Sequence, residues 1–422
     1  MSEQENQIVT AESLREAFEG KQIHQDSDDG VGNKKKKKKN RKFLIFNIIG
    51  GVSFAIGLTC LLVALIGLKS EQAAMSFPKI PSMETADDSY SLLTGEPLAN
   101  GDVKTAPTYC IQMPNGTDGA RPQSGLTEAG VVFEAIAEAG ITRFAAIYQD
   151  PTVSIIGPIR SLRIYYLQWD TPFDCTIVHA GGSGDALAAV ANGYKDLSED
   201  YAYMYRGTHG GRLWNNLFTT SSYLRQYSTD HGYSTSDVKG FARLTPEESD
   251  KARVDATATE KLVITKPATE DTSETTVPVP SVAINLGGWA DFNVNYDYNE
   301  ETNTYLRSYA SGAAHQVYEC ASGDLGEKNP EDVCSLTQVA PSLVVAMVVE
   351  ESRAADNYHE DITTIGSGDA YIFQNGTAIK GTWQKASAGD QIKFTDSEGK
   401  EIKLAPGQTF VTAVPKYGSV AY

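Results

Sequence analysis

"CTIVHAGGSGDALAAVANG", residues 175–193, decides the fold class. It opens with a short apolar run that ends at His179, the pattern of a buried strand. Gly181, Gly182, Ser183 and Gly184 interrupt that pattern. "DALAAVANG" then starts an alanine-rich helix that Gly193 ends. Strand, glycine turn and helix in close succession are the grammar of an α/β layer. Two readings of the turn stand side by side. In one, the glycines only make the bend, and Ser183 or Asp185 caps the helix. In the other, the loop aims free backbone N–H groups outward at the positive end of a helix dipole, where an anion fits. "GSGDA" occurs a second time at 366–370 and there runs into "YIF", so the pentapeptide is turn chemistry and its surroundings must supply any function.

The neighbouring segments extend the pattern. "TYCIQM" at 108–113 and "RFAAIYQD" at 143–150 read as strands. "GVVFEAIAEAG" at 130–140 places Val132, Phe133, Ile136 and Ala137 at helical spacing and reads as a helix. Helices are also expected in "SLRIYYLQWD" (161–170) and "TSSYLRQY" (220–227). A Thr-, Pro- and acid-rich linker at 265–280 separates this domain, 101–264, from a β-rich domain at 281–422. In the latter, Asn375-Gly376 sits between two alternating runs and signals a hairpin. "QIKFTDSEGKEIKL" at 391–404 repeats the idea with a longer turn, and "QTFVTAVP" adds a strand. The expected class is α+β: a single N-terminal transmembrane helix, a layered α/β domain, then a β-rich domain.

Charge sets the compartment. The 422 residues carry a net charge of −18, unevenly spread. Residues 43–68, "FLIFNIIGGVSFAIGLTCLLVALIGL", hold no charge. As a helix they span about 39 Å, more than the ~30 Å hydrocarbon core. "KKKKKKNRK" precedes them at 34–42, so the N-terminal 1–42, polar and mostly disordered by composition, is expected in the cytoplasm and residues 69–422 outside. A cleaved signal peptide is the rival, with "KSEQAAMSF" as a poor cleavage site. Residues 69–100, polar with Pro78 and Pro81, read as a stalk. Beyond residue 68 the balance is −20, which excludes a phosphate-backbone footprint, so no nucleic acid is expected.

Cys110, Cys175, Cys320 and Cys334 lie on the oxidising side. Cys320 with Cys334 would close a short loop, and a disulfide is expected there. Cys110 and Cys175 either pair across neighbouring strands or remain buried thiols. Cys60 lies within the apolar span, and "GLT" before it is a poor lipidation site. No CxxC is present, so no metal is expected, and no cofactor either: the Walker lysine and the G-x-G-x-x-G spacing are both missing.

"ARPQSGLTEAGVVFEAIAEAGITRFAAIYQ", "IGPIRSLRIYYLQWD", "VHAGGS", "WNNLFTT", "GSGDAYIFQNGTAIKGTWQK" and "LAPGQTFVTAVP" resemble the YerB-like family of bacterial envelope lipoproteins, over roughly 95–262 and 280–416. The family pairs two domains of unknown function. The resemblance implies an α+β ectodomain on the outer face of the cytoplasmic membrane and supplies no reaction. Such relatives end a short signal at a lipidated cysteine, whereas this chain carries a long span and a lysine run, so its anchor is read from its own sequence.

Arg121, Arg143, Arg160 and Arg163 fall inside these motifs in an otherwise acidic ectodomain. Beside Gly181–Gly184 they form a candidate anion site, with His179, Ser183, Asp185 and Asn216 as further polar members. Alternatively they pair internally with Glu134, Glu138 and Asp170. The leading expectation is a membrane-anchored binding or interaction module for an anionic envelope component or an envelope protein. Its rivals are an enzyme acting on envelope polymers, with His179, Asp185 and Glu134 as acid/base candidates, and a structural scaffold. Serine catalysis is disfavoured, because Asp185 stands where the last glycine of a G-x-S-x-G elbow belongs. No catalytic residue is assigned.

Overall fold

The computed structural model describes residues 90–99, 104–208, 213–257 and 276–422. The segment 1–42 expected in the cytoplasm, the apolar span 43–68, and most of the expected stalk and linker lie outside these residues. Among the described residues no helix is long and apolar enough to cross a membrane.

Strands dominate. The main sheet has eleven: β1 (Thr108–Pro114), β2 (Val131–Glu138), β3 (Ile141–Gln149), β4 (Thr176–His179), β5 (Lys195–Ser198), β6 (Thr276–Pro278), β7 (Leu343–Val349), β8 (Gly366–Gln374), β9 (Thr377–Lys385), β10 (Lys393–Thr395) and β11 (Thr409–Pro415). Their order is β10-β9-β8-β7-β11-β2-β3-β1-β4-β5, with β6 also on β9. The sheet is therefore continuous across the two halves of the chain. β2 runs parallel to β11, with Val131 opposite Thr409 and Glu134 opposite Thr412.

The helix expected at 130–140 is a strand. Val131, Phe133 and Ala135 face one core cluster while Val132 and Ile136 face two others. A strand buried on both faces reads as a continuous apolar run, which periodicity alone does not separate from a helix. Ala139 and Gly140, both at positive φ (51° and 77°), turn β2 into β3 as a two-residue hairpin.

Of the hairpin expected at 391–404 only β10 is a strand, and it pairs with β9, with a single Thr395–Glu401 bridge across the turn; the other expected elements form. Helix α1 (Ile164–Asp170) follows β3, α2 (Gly184–Val190) follows β4, and α3 (Ser221–His231) starts from Thr220, whose hydroxyl caps Tyr223 N–H. Asn375 and Gly376 make the turn between β8 and β9, with Gln374 opposite Thr377. The second "GSGDA" lies within β8 itself.

One face of the sheet packs on α1 through Tyr165, Tyr166 and Trp169. The opposite face is covered at one end by α3, through Leu224 and Tyr227. At the other end it is covered by a four-stranded antiparallel sheet of Ser281–Asn285, Val294–Asn299, Thr304–Tyr309 and Ser419–Ala421. Two disulfides join Cys320 to Cys334, as expected, and Cys110 to Cys175. Leu93, from the C-terminal end of the expected stalk, is buried in the α1 cluster.

Candidate functional site

The β4–α2 turn sits where strand and helix meet the segment after β3. Leu162 N–H donates to Gly181 O and Ser183 N–H donates to Leu162 O, so the glycine loop is stitched to residues 160–163. Gly181 needs its positive φ of 67°. At Gly182 a β-carbon would stand 3.1 Å from both Leu162 O and Leu187 Cδ2. Ser183 holds the cap position of α2, yet its side chain caps nothing. α2 spans seven residues, so few peptide dipoles align behind the turn.

Two of the four arginines meet here on one carboxylate. Arg143, from β3, pairs with Glu138 Oε1 and donates to Ser161 O at 2.8 Å. Arg163, just before α1, donates to Glu138 Oε2 at 2.6 Å and to Leu162 O at 2.9 Å. Burial and the neighbouring Arg163 charge bring Arg143 down to about 10. Arg160 donates to Trp214 O, and burial lowers it too. The internal pairing considered in the sequence thus holds for Glu138, but two guanidiniums share that one acid. Arg163 Nε, Arg160 Nε and Ser183 Oγ are buried and have no hydrogen-bond partner.

Arg163, Ser183, Gly184 and Asp185 line one wall of a cleft of about 420 Å³. The facing wall is a hairpin loop carrying Asp356, His359, Glu360 and Asp361. Backbone N–H groups of His359 and Tyr358, and then the His359 ring, hold Asp356 well below the usual carboxylate range. Burial, and next to it the charges of Glu138 and Asp356, push Glu360 up against the opposing pull of Arg353. Sequence reasoning missed this wall. The available signal was "DNYHED", 356–361, whose Asp-Asn start favours a turn and whose remaining residues leave it densely charged.

The other candidates lie elsewhere. Arg121 stacks over Tyr309 at 3.8 Å, donates to Asn115 Oδ1 at 2.9 Å and reaches Asp291 O. Asn216 bonds Gly207 O and Arg206 in a small hairpin, and Gly207 is its partner on both sides of the turn. His179 is fully buried, with Nε2 2.8 Å from Asp196 Oδ1 and Nδ1 2.7 Å from Gly181 O. Both ring nitrogens are thus engaged within the fold, which leaves neither for a substrate. Glu134 accepts from Arg307 on both oxygens at 2.9 and 2.8 Å, fully buried. Burial lowers Arg307, but Glu134 together with Tyr296 and Tyr309 holds the guanidinium above its ordinary value. His315 contacts Arg307 and Gln123, and burial, with the charges of Arg307 and Arg121, keeps it well below its ordinary value. The acid/base candidates His179, Glu134 and Asp185 therefore occupy three separate settings and share no partner. Among the described residues, no group of three or more His, Cys, Asp or Glu is arranged to hold a metal.

One mixed sheet, shared by an N-terminal and a C-terminal half and carrying a lateral cleft, defines a paired-domain α+β module. Residues 93–234 match the N-terminal domain, and 283–411 the C-terminal domain, of the protein family of unknown function DUF3048, and the chain belongs to that family. It is 27% identical over 298 residues to a Bacillus subtilis (strain 168) protein named "Putative lipoprotein YerB", covering 70% of this chain and 78% of that one. Its fold matches the crystal structure of the YerB protein from Bacillus subtilis with a TM-score of 0.60 at 23% identity, over 79% of this chain and 99% of that one.

Proposed function

We propose that this protein is a membrane-associated module of the bacterial cell envelope, and that its cleft binds an anionic group of an envelope component. The carrying observation is that two residues lining the cleft, Arg163 and Ser183, each hold a buried polar atom without a partner, Arg163 Nε and Ser183 Oγ. A buried donor without a partner costs free energy, on the order of 1–3 kcal/mol, and a ligand that completes its hydrogen bond recovers it. Two guanidiniums on the single carboxylate of Glu138 leave a net positive charge behind the same wall. The envelope assignment is supported by the lipoprotein name of the Bacillus subtilis relative and by the acidic balance beyond residue 68.

The full chain, titrated with acetate and with phosphate by calorimetry, should bind one of them weakly, and less tightly at high salt. Ser183→Ala should weaken binding about tenfold, the loss expected for one hydrogen bond to a charged group. The same substitution deletes a buried unsatisfied hydroxyl, so the variant should melt no lower than the parent. Lower affinity without lower stability is the mark of a binding residue. Unchanged affinity in Ser183→Ala would remove the cleft from consideration.

In this reading the chain is anchored by an uncleaved span at 43–68, with residues 1–42 inside and the family domains outside. The measured mass of the mature protein tests it. A chain that starts at an acylated Cys60, or after the span, would replace the anchor proposed here.

A further inference from the structure

We infer that the ligand of this cleft is a zwitterion, an amino acid or short peptide with both ends free, whose carboxylate sits on the Arg163–Ser183 wall and whose ammonium faces the hairpin loop; this rests on the cleft being the binding site.

The two walls differ in charge. On the first, the lining residues Arg163 (4% exposed) and Ser183 (7% exposed) each hold a buried polar atom without a partner. The Arg143–Glu138–Arg163 group behind them keeps one positive charge in excess. The second wall is acidic. Asp361 is exposed and carries its charge without a side-chain partner, while Glu360 has only a 3.4 Å contact to Arg353. Asp356 keeps one oxygen on the backbone N–H groups of Tyr358 and His359 and the other on the His359 ring. Asp185, at the mouth, accepts only from its neighbour Ala186 N–H.

A simple polyanion fits this cleft poorly, because Asp185, Asp356, Glu360 and Asp361 would repel whatever Arg163 attracts. A simple metal cation fits poorly too. Arg163 opposes it, and the acids do not converge as a ligand set. A molecule with one charge of each sign satisfies both walls. An ammonium tolerates acids spread along a loop, since its three N–H groups donate in separate directions. The volume, about 420 Å³, lies within the ~300–1,000 Å³ usual for small-molecule sites. The His359 ring already occupies Asp356, and Glu360 is buried and alternates with Asp361 along its strand, which leaves the exposed Asp361 as the ammonium partner.

The test uses the full chain in detergent with alanylalanine, its N-acetyl derivative and its C-terminal amide, followed by calorimetry. Alanylalanine should bind, and blocking either end should weaken it at least fivefold. Asp361→Asn, at an exposed position, should melt like the parent. It should weaken alanylalanine about fivefold and leave the N-acetyl form unchanged. If the N-acetyl form binds as tightly as the free dipeptide, or Asp361→Asn changes nothing, the zwitterion is wrong and the anion site stands. If the amide binds as tightly as the free acid, the anion site itself falls. If no dipeptide binds while acetate does, the zwitterion is again overturned.

Discussion

Asp170 ends α1 wholly inside the protein, and its Oδ2 accepts from Gln112 Nε2 at 2.9 Å. Its Oδ1 and the Gln112 Oε1 are both buried with no donor. A proton on Oδ1 converts the first of these acceptors into a donor, and burial pushes the Asp170 carboxyl well above its ordinary value. The sign of the pH dependence follows. A carboxyl raised in the folded state contributes its full stability below the unfolded value, near ~3.9, and that contribution declines as pH climbs towards the folded value. Asp170→Asn keeps the shape and the donor without the ionisation. It should melt a few degrees higher than the parent at pH 7 and at the same temperature near pH 4. Equal melting at both pH values would show that Asp170 is ionised in the fold. The Asp170 pairing with an arginine considered from sequence does not occur, because its partner is the neutral Gln112.

At the scale of elements, legibility followed solvent contact. The β4–α2 junction and the Asn375-Gly376 hairpin were readable because turns carry their own residue chemistry. β2 was not, because Phe133 and Val132 are buried on opposite faces and erase the alternation that marks a strand. The hairpin loop after Arg353 was not readable as part of a site, because it joins Ser183 only through the fold; Glu138 and His359 form a backbone bridge across more than two hundred residues of sequence. The disulfides show the same contrast. Cys320 and Cys334 were paired from proximity, and they close the base of the loop of the Gln316–Glu319/Ser335–Gln338 hairpin. Cys110 on β1 and Cys175 before β4 are 65 residues apart, and pairing them required the parallel β1–β4 register, with Cys110 opposite Ile177. In the chain-entropy picture the longer loop contributes about 4 kcal/mol and the shorter about 3 kcal/mol. Replacing Cys110 and Cys175 by Ala should therefore lower the melting temperature more than replacing Cys320 and Cys334. The reverse order in differential scanning calorimetry would count against the longer link as a structural bond.

Across the whole molecule, the β2–β11 pairing joins the halves within the main sheet, and a buried ion pair joins them again between the two sheets. Glu134 comes from β2 in the N-terminal half and Arg307 from Thr304–Tyr309 in the C-terminal half. Arg307 also donates to Tyr296 Oη and packs against the rings of Phe144 and Tyr309. Thr142 and Asn115 complete the Glu134 shell, with Thr142 Oγ1 at 3.0 Å. Such a pair holds the four-stranded sheet in one position on the main sheet, and its strength depends on both members being present. Removing one leaves an uncompensated buried charge, at a cost of about 3–5 kcal/mol, whereas exchanging both for apolar residues is often neutral. Arg307→Met should thus destabilise the full chain by about that amount in denaturant unfolding, and the double variant with Glu134→Leu should recover most of the loss. The recovery separates a charge effect from a packing effect: if the double variant is as unstable as Arg307→Met alone, the guanidinium's contacts with Phe144 and Tyr309, rather than its pairing with Glu134, fix the four-stranded sheet on the main sheet.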